Sequence, residues 1–155
     1  MNGKTPRESK TEQVHILMPE NLNGYGRLFG GRLMQWIDEV AGVTARRHCG
    51  CNVTTARVSD LQFHAAAHVN DVVVVEGIIT YVGRTSMEVQ VDTFAERPGE
   101  RVHINRAYLT MVALDETEKP TPVPPLLPET DEERADAEAG LRRTLLRKQR
   151  KQECY

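Results

Sequence analysis

One helical repeat set among stretches of period two constrains this chain more than any other feature. From about Gly30 to His48 the apolar residues Leu33, Ile37, Val40 and Ala41, joined by Thr44, keep helical spacing with no proline between them. After Gly50 the pattern alternates, with Val53, Thr55, Arg57 and Ser59 on one face and Thr54, Ala56, Val58 and Asp60 on the other, running on to Phe63. Three further strands are predicted at Val72 to Val82, Met87 to Ala95 and Val102 to Leu114. They are separated by turn signals at Val69-Asn70-Asp71, Gly83-Arg84 and Arg97-Pro98-Gly99-Glu100. Ahead of the helix, Val14, Ile16 and Met18 alternate as a first strand before Pro19. Hairpin-like turns between the last four strands favour antiparallel pairing. The expectation is an α+β fold, a curved antiparallel sheet of about five strands wrapped around one long helix.

The flanks read differently. Residues 1–12 are polar and charged and are expected to be flexible, with the domain proper over 13–115. Residues 116–129 carry Pro120, Pro122, Pro124, Pro125 and Pro128, the signature of a stiff extended linker. Over 130–155, Thr130-Asp131-Glu132-Glu133 forms a capping box, with acids early and bases late as a helix dipole prefers, so a charged C-terminal helix is expected to about Gln152. Its basic end has few apolar residues and no interleaved aromatics, which suits a solvated or subunit-docking helix. Five strands and one helix leave the far face of the sheet and one edge uncovered, so self-association to at least a dimer is expected.

Length and charge narrow the function. With 155 residues the chain supports one well-buried domain and an appendage. Its 20 Lys and Arg against 22 Asp and Glu give no reason to expect nucleic-acid binding. No apolar run approaches the roughly 20 residues that span a bilayer. The three cysteines, Cys49, Cys51 and Cys154, have no framework spacing and no signal peptide accompanies them, so a reduced, cytoplasmic setting is expected. Cys49 and Cys51 with His48 lack a second ligand pair at metal spacing and read as helix-end residues.

Chemistry concentrates in Asn23-Gly24-Tyr25-Gly26-Arg27-Leu28-Phe29-Gly30-Gly31 and the helix that follows. The first amides of a helix lack internal partners and sit at the positive end of its dipole, so Gly30 or Gly31 can polarise a carbonyl oxygen. Asp38 can then act as general base on water or as direct nucleophile, which suits a reactive acyl group such as a thioester. Asn23 can orient the water or the carbonyl. Eight helical residues rise about 12 Å, so Gly30 and Asp38 of one chain cannot press on one small group. The carboxylate must come from a second copy, with two equivalent sites in a two-fold dimer.

Several stretches together, Pro19 to Gly31, the helix through Trp36-Ile37-Asp38, Arg47-His48, Thr55-Ala56-Arg57-Val58 leading to Phe63, and Val82 to Val89, resemble the hotdog-fold acyl-CoA thioesterases, most closely the broad-specificity bacterial and brain acyl-CoA hydrolases. The resemblance covers roughly Val14 to Leu114. It implies hydrolysis of acyl-CoA to free acid and CoA without metal or cofactor, and a hexamer of three dimers. It assigns the site to Asn23, Gly30 with Gly31 adjacent, and Asp38 of the facing subunit, and places Gly83, Arg84, Thr85 and Ser86 near the CoA arm. Ser86 serves equally as a turn residue bonding its own backbone. The chain departs from the family pattern at Ala66, where a proline is usual, and at Asn70, where a glycine is. His64 and His68 are assigned no catalytic role. A hotdog hydratase would want a histidine paired with the acid, which the helix lacks. A non-catalytic acyl-CoA-binding module remains the alternative.

Overall fold

The computed structural model describes residues 1–154. In chain order it contains α1 (Pro6–Ser9), β1 (Thr11–Ile16), a 3-10 turn (Pro19–Asn21), α2 (Gly30–Cys49), β2 (Asn52–Phe63), β3 (Val72–Val82), β4 (Ser86–Arg97), β5 (Glu100–Leu114) and α3 (Asp131–Cys154). The strands form one antiparallel sheet in the order β1-β3-β4-β5-β2.

Helix α2 exists because one face is apolar throughout. Leu33, Trp36, Ile37, Val40, Ala41, Thr44, Ala45 and His48 are buried, and they pack on Val73, Val75, Ile79, Val89, Val91, Ala107 and Leu109 of the sheet. Each large aliphatic side chain buried in this way contributes about 1.5–3 kcal/mol. Thr44 satisfies its hydroxyl within the helix by donating to the Val40 carbonyl at 2.7 Å. The helix lies so close to β3 that a Cβ on Gly77 would fall 2.6 Å from Thr44 Oγ1 and 2.7 Å from Val40 Cγ1. At its C-terminus Gly50, at φ 70°, caps the last turn by donating to the Arg46 carbonyl.

The order strand, helix, four strands is as the sequence predicted, but only β3–β4 and β4–β5 are hairpins. Strand β2 pairs with β5 at one edge of the sheet, and β1 occupies the free side of β3. The connection after Phe63 crosses to β3 and is tied to the end of β1, Asn70 donating to the Leu17 carbonyl and Leu17 to that of Asp71, both at 2.9 Å. Asn70 adopts φ 70°, the left-handed conformation that its side chain tolerates.

Three expectations for the flanks are corrected. Residues 1–12 are not loose. Pro6 and Ser9 are buried, and Lys4 exchanges backbone hydrogen bonds with Pro125 and Leu127. The proline-rich segment, expected as a stiff extended linker, is a strap packed across the domain, with Val123 buried and the Pro124 carbonyl held by His48 Nε2 at 2.8 Å. The outer face of the sheet is not bare, because α3 docks on it. Arg143 makes a two-pronged bond to buried Glu88 (2.7 and 3.0 Å) and lies 3.8 Å from the centre of the Tyr108 ring. Helix α3 approaches through Gly140, where a Cβ would sit 2.5 Å from that of Tyr81. Its N-terminus carries the expected capping box, Glu133 N–H donating to Thr130 Oγ1 and Thr130 N–H to the Glu133 carboxylate. Both edges of the sheet remain open: β2, exposed along most of its length with Val58 and Phe63 on it, and β1, with exposed Val14 and Ile16; Met34 and Val43 on α2 are exposed as well.

Candidate active site

The loop ahead of α2 is folded around the Asn23 side chain. Its Oδ1 accepts the N–H groups of Tyr25 (2.9 Å) and Arg27 (3.2 Å), while its backbone N–H donates to the Arg27 carbonyl at 2.7 Å. Gly26, at φ 72°, supplies the left-handed residue that this tight turn requires. With Oδ1 committed to the turn, Asn23 has only its Nδ2 hydrogens left to offer a ligand.

Phe29 precedes the helix with no side-chain cap, and its carbonyl accepts the N–H groups of Arg32 and Leu33. The N–H groups of Gly30 and Gly31 have no protein acceptor among the described residues. Gly30 and Asn23 line one cavity of about 410 Å³, walled by Leu28, Leu33, Phe63, Ile104 and the short side chains of Ala65, Ala66 and Ala67. Gly31 is exposed and off that wall. Arg27 adds to the lining, so two donors meet a chamber with an apolar wall and a polar rim, an arrangement suited to a carbonyl attached to a hydrocarbon chain. His64 also lines the cavity.

Asp38 is on the exposed side of α2 and does not line this chamber. Its Oδ1 accepts the Thr55 hydroxyl at 2.6 Å, and Thr55 Oγ1 also contacts Met111 Sδ at 3.5 Å. A bulge in β2 between Thr55 and Arg57 explains the pairing. Thr55 faces Met111 and α2, while Arg57 lines grooves beside α3 on the other face. The sequence showed Thr55 only as one alternating residue, and nothing in that pattern told it from its neighbours.

Gly83, Arg84, Thr85 and Ser86 form the β3–β4 turn, closed by Gly83 N–H donating to the Ser86 carbonyl at 2.8 Å. The Arg84 and Thr85 carbonyls are occupied by Val123 and Ala113 N–H, and the Arg84 side chain is exposed. Ser86 borders a groove with Arg57, Thr110, Thr144, Arg147, Lys148, Arg150 and Lys151. The turn does not line the Asn23 and Gly30 chamber. A single chain therefore holds three separate parts: the donor chamber, the Asp38–Thr55 pair, and the turn with its basic groove.

Other residues singled out in the sequence take structural positions. Trp36 is buried and stacks on His15 at 3.9 Å, whereas Met34 is exposed. His68 N–H donates to Asp71, itself held by Arg97. Among the described residues no group of His, Cys, Asp and Glu is arranged to hold a metal ion, and no helix is long and apolar enough to cross a membrane.

Comparison with known proteins agrees with this geometry. The family profile described as the thioesterase superfamily matches residues 25–102. The YkhA acyl-CoA thioester hydrolase of Bacillus subtilis, itself described as uncharacterized, is 39% identical over 94% of this chain and 86% of its own. The cytosolic acyl coenzyme A thioester hydrolase of Rattus norvegicus is 34% identical over 93% of this chain, which spans 39% of the rat protein. A hexameric acyl-CoA thioesterase, solved in its apo form, superposes with a TM-score of 0.93 and 38% identity over 97% of both chains. The acyl-CoA hydrolase of Staphylococcus aureus, solved with butyryl coenzyme A, coenzyme A and coenzyme A disulfide, superposes with a TM-score of 0.90. It is 33% identical, over 99% of this chain and 92% of its own. An asparagine, an aspartate and a threonine of the Staphylococcus protein have each been replaced by alanine, and the same chain intervals separate Asn23, Asp38 and Thr55 here. The fold and these matches define a thioesterase-superfamily enzyme with the hotdog architecture, a curved sheet around one helix. Within that superfamily the chain belongs to the acyl-CoA thioester hydrolases.

Proposed function

We propose that two copies of this chain hydrolyse acyl-CoA to free carboxylic acid and CoA at sites shared between them. The observation that carries the proposal is the separation within one chain of the donor chamber, with Asn23 and Gly30, from the Asp38–Thr55 pair. A partner presenting its α2 and exposed β2 would bring its Asp38 to the first chain's chamber. The acyl chain lies among Leu28, Leu33, Phe63 and Ile104. The thioester oxygen accepts from Gly30 N–H and Asn23 Nδ2, with Gly31 N–H beside them.

Asp38 takes a proton from water as the water oxygen bonds to the carbonyl carbon. The resulting oxyanion is held by the helix-end amide, where a donor of this kind contributes about 2.7–4 kcal/mol. Collapse breaks the carbon–sulfur bond, and the departing CoA thiolate takes the proton from Asp38. The Thr55 hydroxyl, donating to Oδ1, orients the carboxylate. Asp38 as direct nucleophile uses the same geometry and adds an anhydride step. Both routes balance with water alone, so the proposal includes no metal or cofactor. The CoA arm runs along Gly83, Arg84, Thr85 and Ser86, with Arg84 positioned for phosphate. Assembly beyond the dimer to a hexamer, as in the structural neighbour, and a cytoplasmic setting complete the proposal.

The test is release of free CoA from short, medium and long acyl-CoAs by the natural chain and by Asp38→Ala. Rapid release that vanishes in the variant is the expected result. Tight binding without release would replace the hydrolase with a non-catalytic acyl-CoA-binding module, and undiminished release by the variant would remove Asp38 from the mechanism.

A further inference from the structure

Where α2 ends, far from the donor chamber, the chain reads Cys49-Gly50-Cys51. The left-handed Gly50, at φ 70°, reverses the backbone so that residues two apart bring their side chains together. The sulfurs of Cys49 and Cys51 are in contact at 2.7 Å, and Cys51 N–H points at Cys49 Sγ at 3.4 Å. Both are half-buried free thiols, but their surroundings differ. Cys51 opens on a surface cleft of about 520 Å³ with Arg46, Asn52, Asp115, Glu116 and Thr121, which Cys49 does not reach. We infer that Cys49-Gly50-Cys51 is a dithiol that exchanges with small zwitterionic disulfides and closes to an intramolecular disulfide, Cys51 receiving the incoming sulfur and Cys49 resolving it.

The chemistry balances. Cys51, as thiolate, attacks one sulfur of R–S–S–R, forming Cys51–S–S–R and expelling one thiolate, which takes up a proton. Cys49 then loses its proton and attacks the Cys51 sulfur, forming Cys49–S–S–Cys51 and expelling the second thiolate, which is protonated in turn. Two protein thiols are oxidised and one disulfide is reduced to two thiols. The cleft selects the disulfide by charge, since Arg46 suits a carboxylate and Asp115 with Glu116 an ammonium group, the pair carried by a small peptide thiol. Burial, with the Cys51 thiol alongside, pushes the Cys49 thiol up to about 11. A thiol of that kind is a slow first attacker, while its contact with Cys51 places it to attack the Cys51 sulfur once that sulfur is linked.

The experiment uses the full chain with Cys154→Ser and oxidised glutathione at neutral pH, read by intact mass and peptide mapping. The parent is expected to lose two hydrogens, retain no glutathione and show a 49–51 link, while Cys49→Ser retains one glutathione on Cys51. Glutathione kept on the parent, an adduct on Cys49 of the parent, or no reaction would each overturn the inference. Bis(2-hydroxyethyl) disulfide, which lacks charge, should close the pair more slowly; equal rates would overturn the selection by Arg46 and the carboxylates. The parent's own mass change needs no substitution at Cys49 or Cys51. CoA release, followed in parallel, is expected to be unchanged by Cys49→Ser, so failure here and failure of the hydrolase reading are separately visible.

Discussion

Thr55 and His48 show how single residues set the behaviour of this protein. Thr55 Oγ1 donates to Asp38 Oδ1 at 2.6 Å, and in the proposed mechanism Oδ2 is the oxygen left for the reaction. A hydrogen bond to a charged group contributes about 1.5–3 kcal/mol, so Thr55→Ala should lower kcat roughly ten- to hundredfold while Thr55→Ser keeps most of it. Steady-state kinetics decide this, and an unchanged kcat in Thr55→Ala would separate Thr55 from Asp38's function. His48 is fully buried, with Nε2–H given to Pro124 and no partner for Nδ1 among the described residues. Burial pushes its pKa below the ordinary 6.5. The unfolded chain therefore takes up this proton at higher pH than the folded one. The stability involved is intact above about 6.5 and is lost as pH falls below that value. His15, desolvated beside Trp36, shifts in the same direction. Thermal unfolding at about pH 7.5 and about pH 5 should show a larger loss in the natural chain than in His48→Gln; equal losses would acquit His48.

Among the elements, α2 and α3 each depend on a glycine that admits a close approach. Gly77→Ala would drive a methyl into Thr44 and Val40, and Gly140→Ala would drive one into Tyr81. Overpacking of this kind costs about 1–3 kcal/mol, so denaturant titration should show both variants destabilised, the second by loosening α3. Wild-type midpoints in both would contradict the packing described. The same elements show what a sequence carries. Helix α2 was legible because its period repeats over many residues against a single core. The strands were legible as extended segments, although a bulge in β2 breaks the alternation expected there and sets Thr55 and Arg57 on opposite faces. The docking of α3 was not legible, because Glu88 and Arg143 are 55 residues apart and a charge-rich helix reads as solvated. The β2–β3 turn signal was read as a hairpin although β1 takes the place beside β3. In the candidate site, the loop and helix together pointed to Asn23, Gly30, Gly31 and Asp38, of which Asn23 and Gly30 line one cavity and Gly31 and Asp38 do not. Thr55 was not legible, since its role depends on a bulge that turns it toward Asp38.

For the molecule as a whole, the open β2 edge and the separation of the donor chamber from the Asp38–Thr55 pair lead to the assembly proposed above. Light scattering should return a multiple of the 17.5 kDa chain mass, two copies at least, and a monomer that still hydrolyses acyl-CoA would contradict the shared site. The most direct measurement co-refolds Asp38→Ala with Asn23→Ala chains and follows CoA release. Each variant alone should be close to inactive. A hybrid dimer pairs the intact Asn23 and Gly30 of one chain with the intact Asp38 of the other, so the mixture should regain up to one working site per hybrid. Hybrids that form, as native mass spectrometry can establish, yet recover no activity would contradict a site built across two chains.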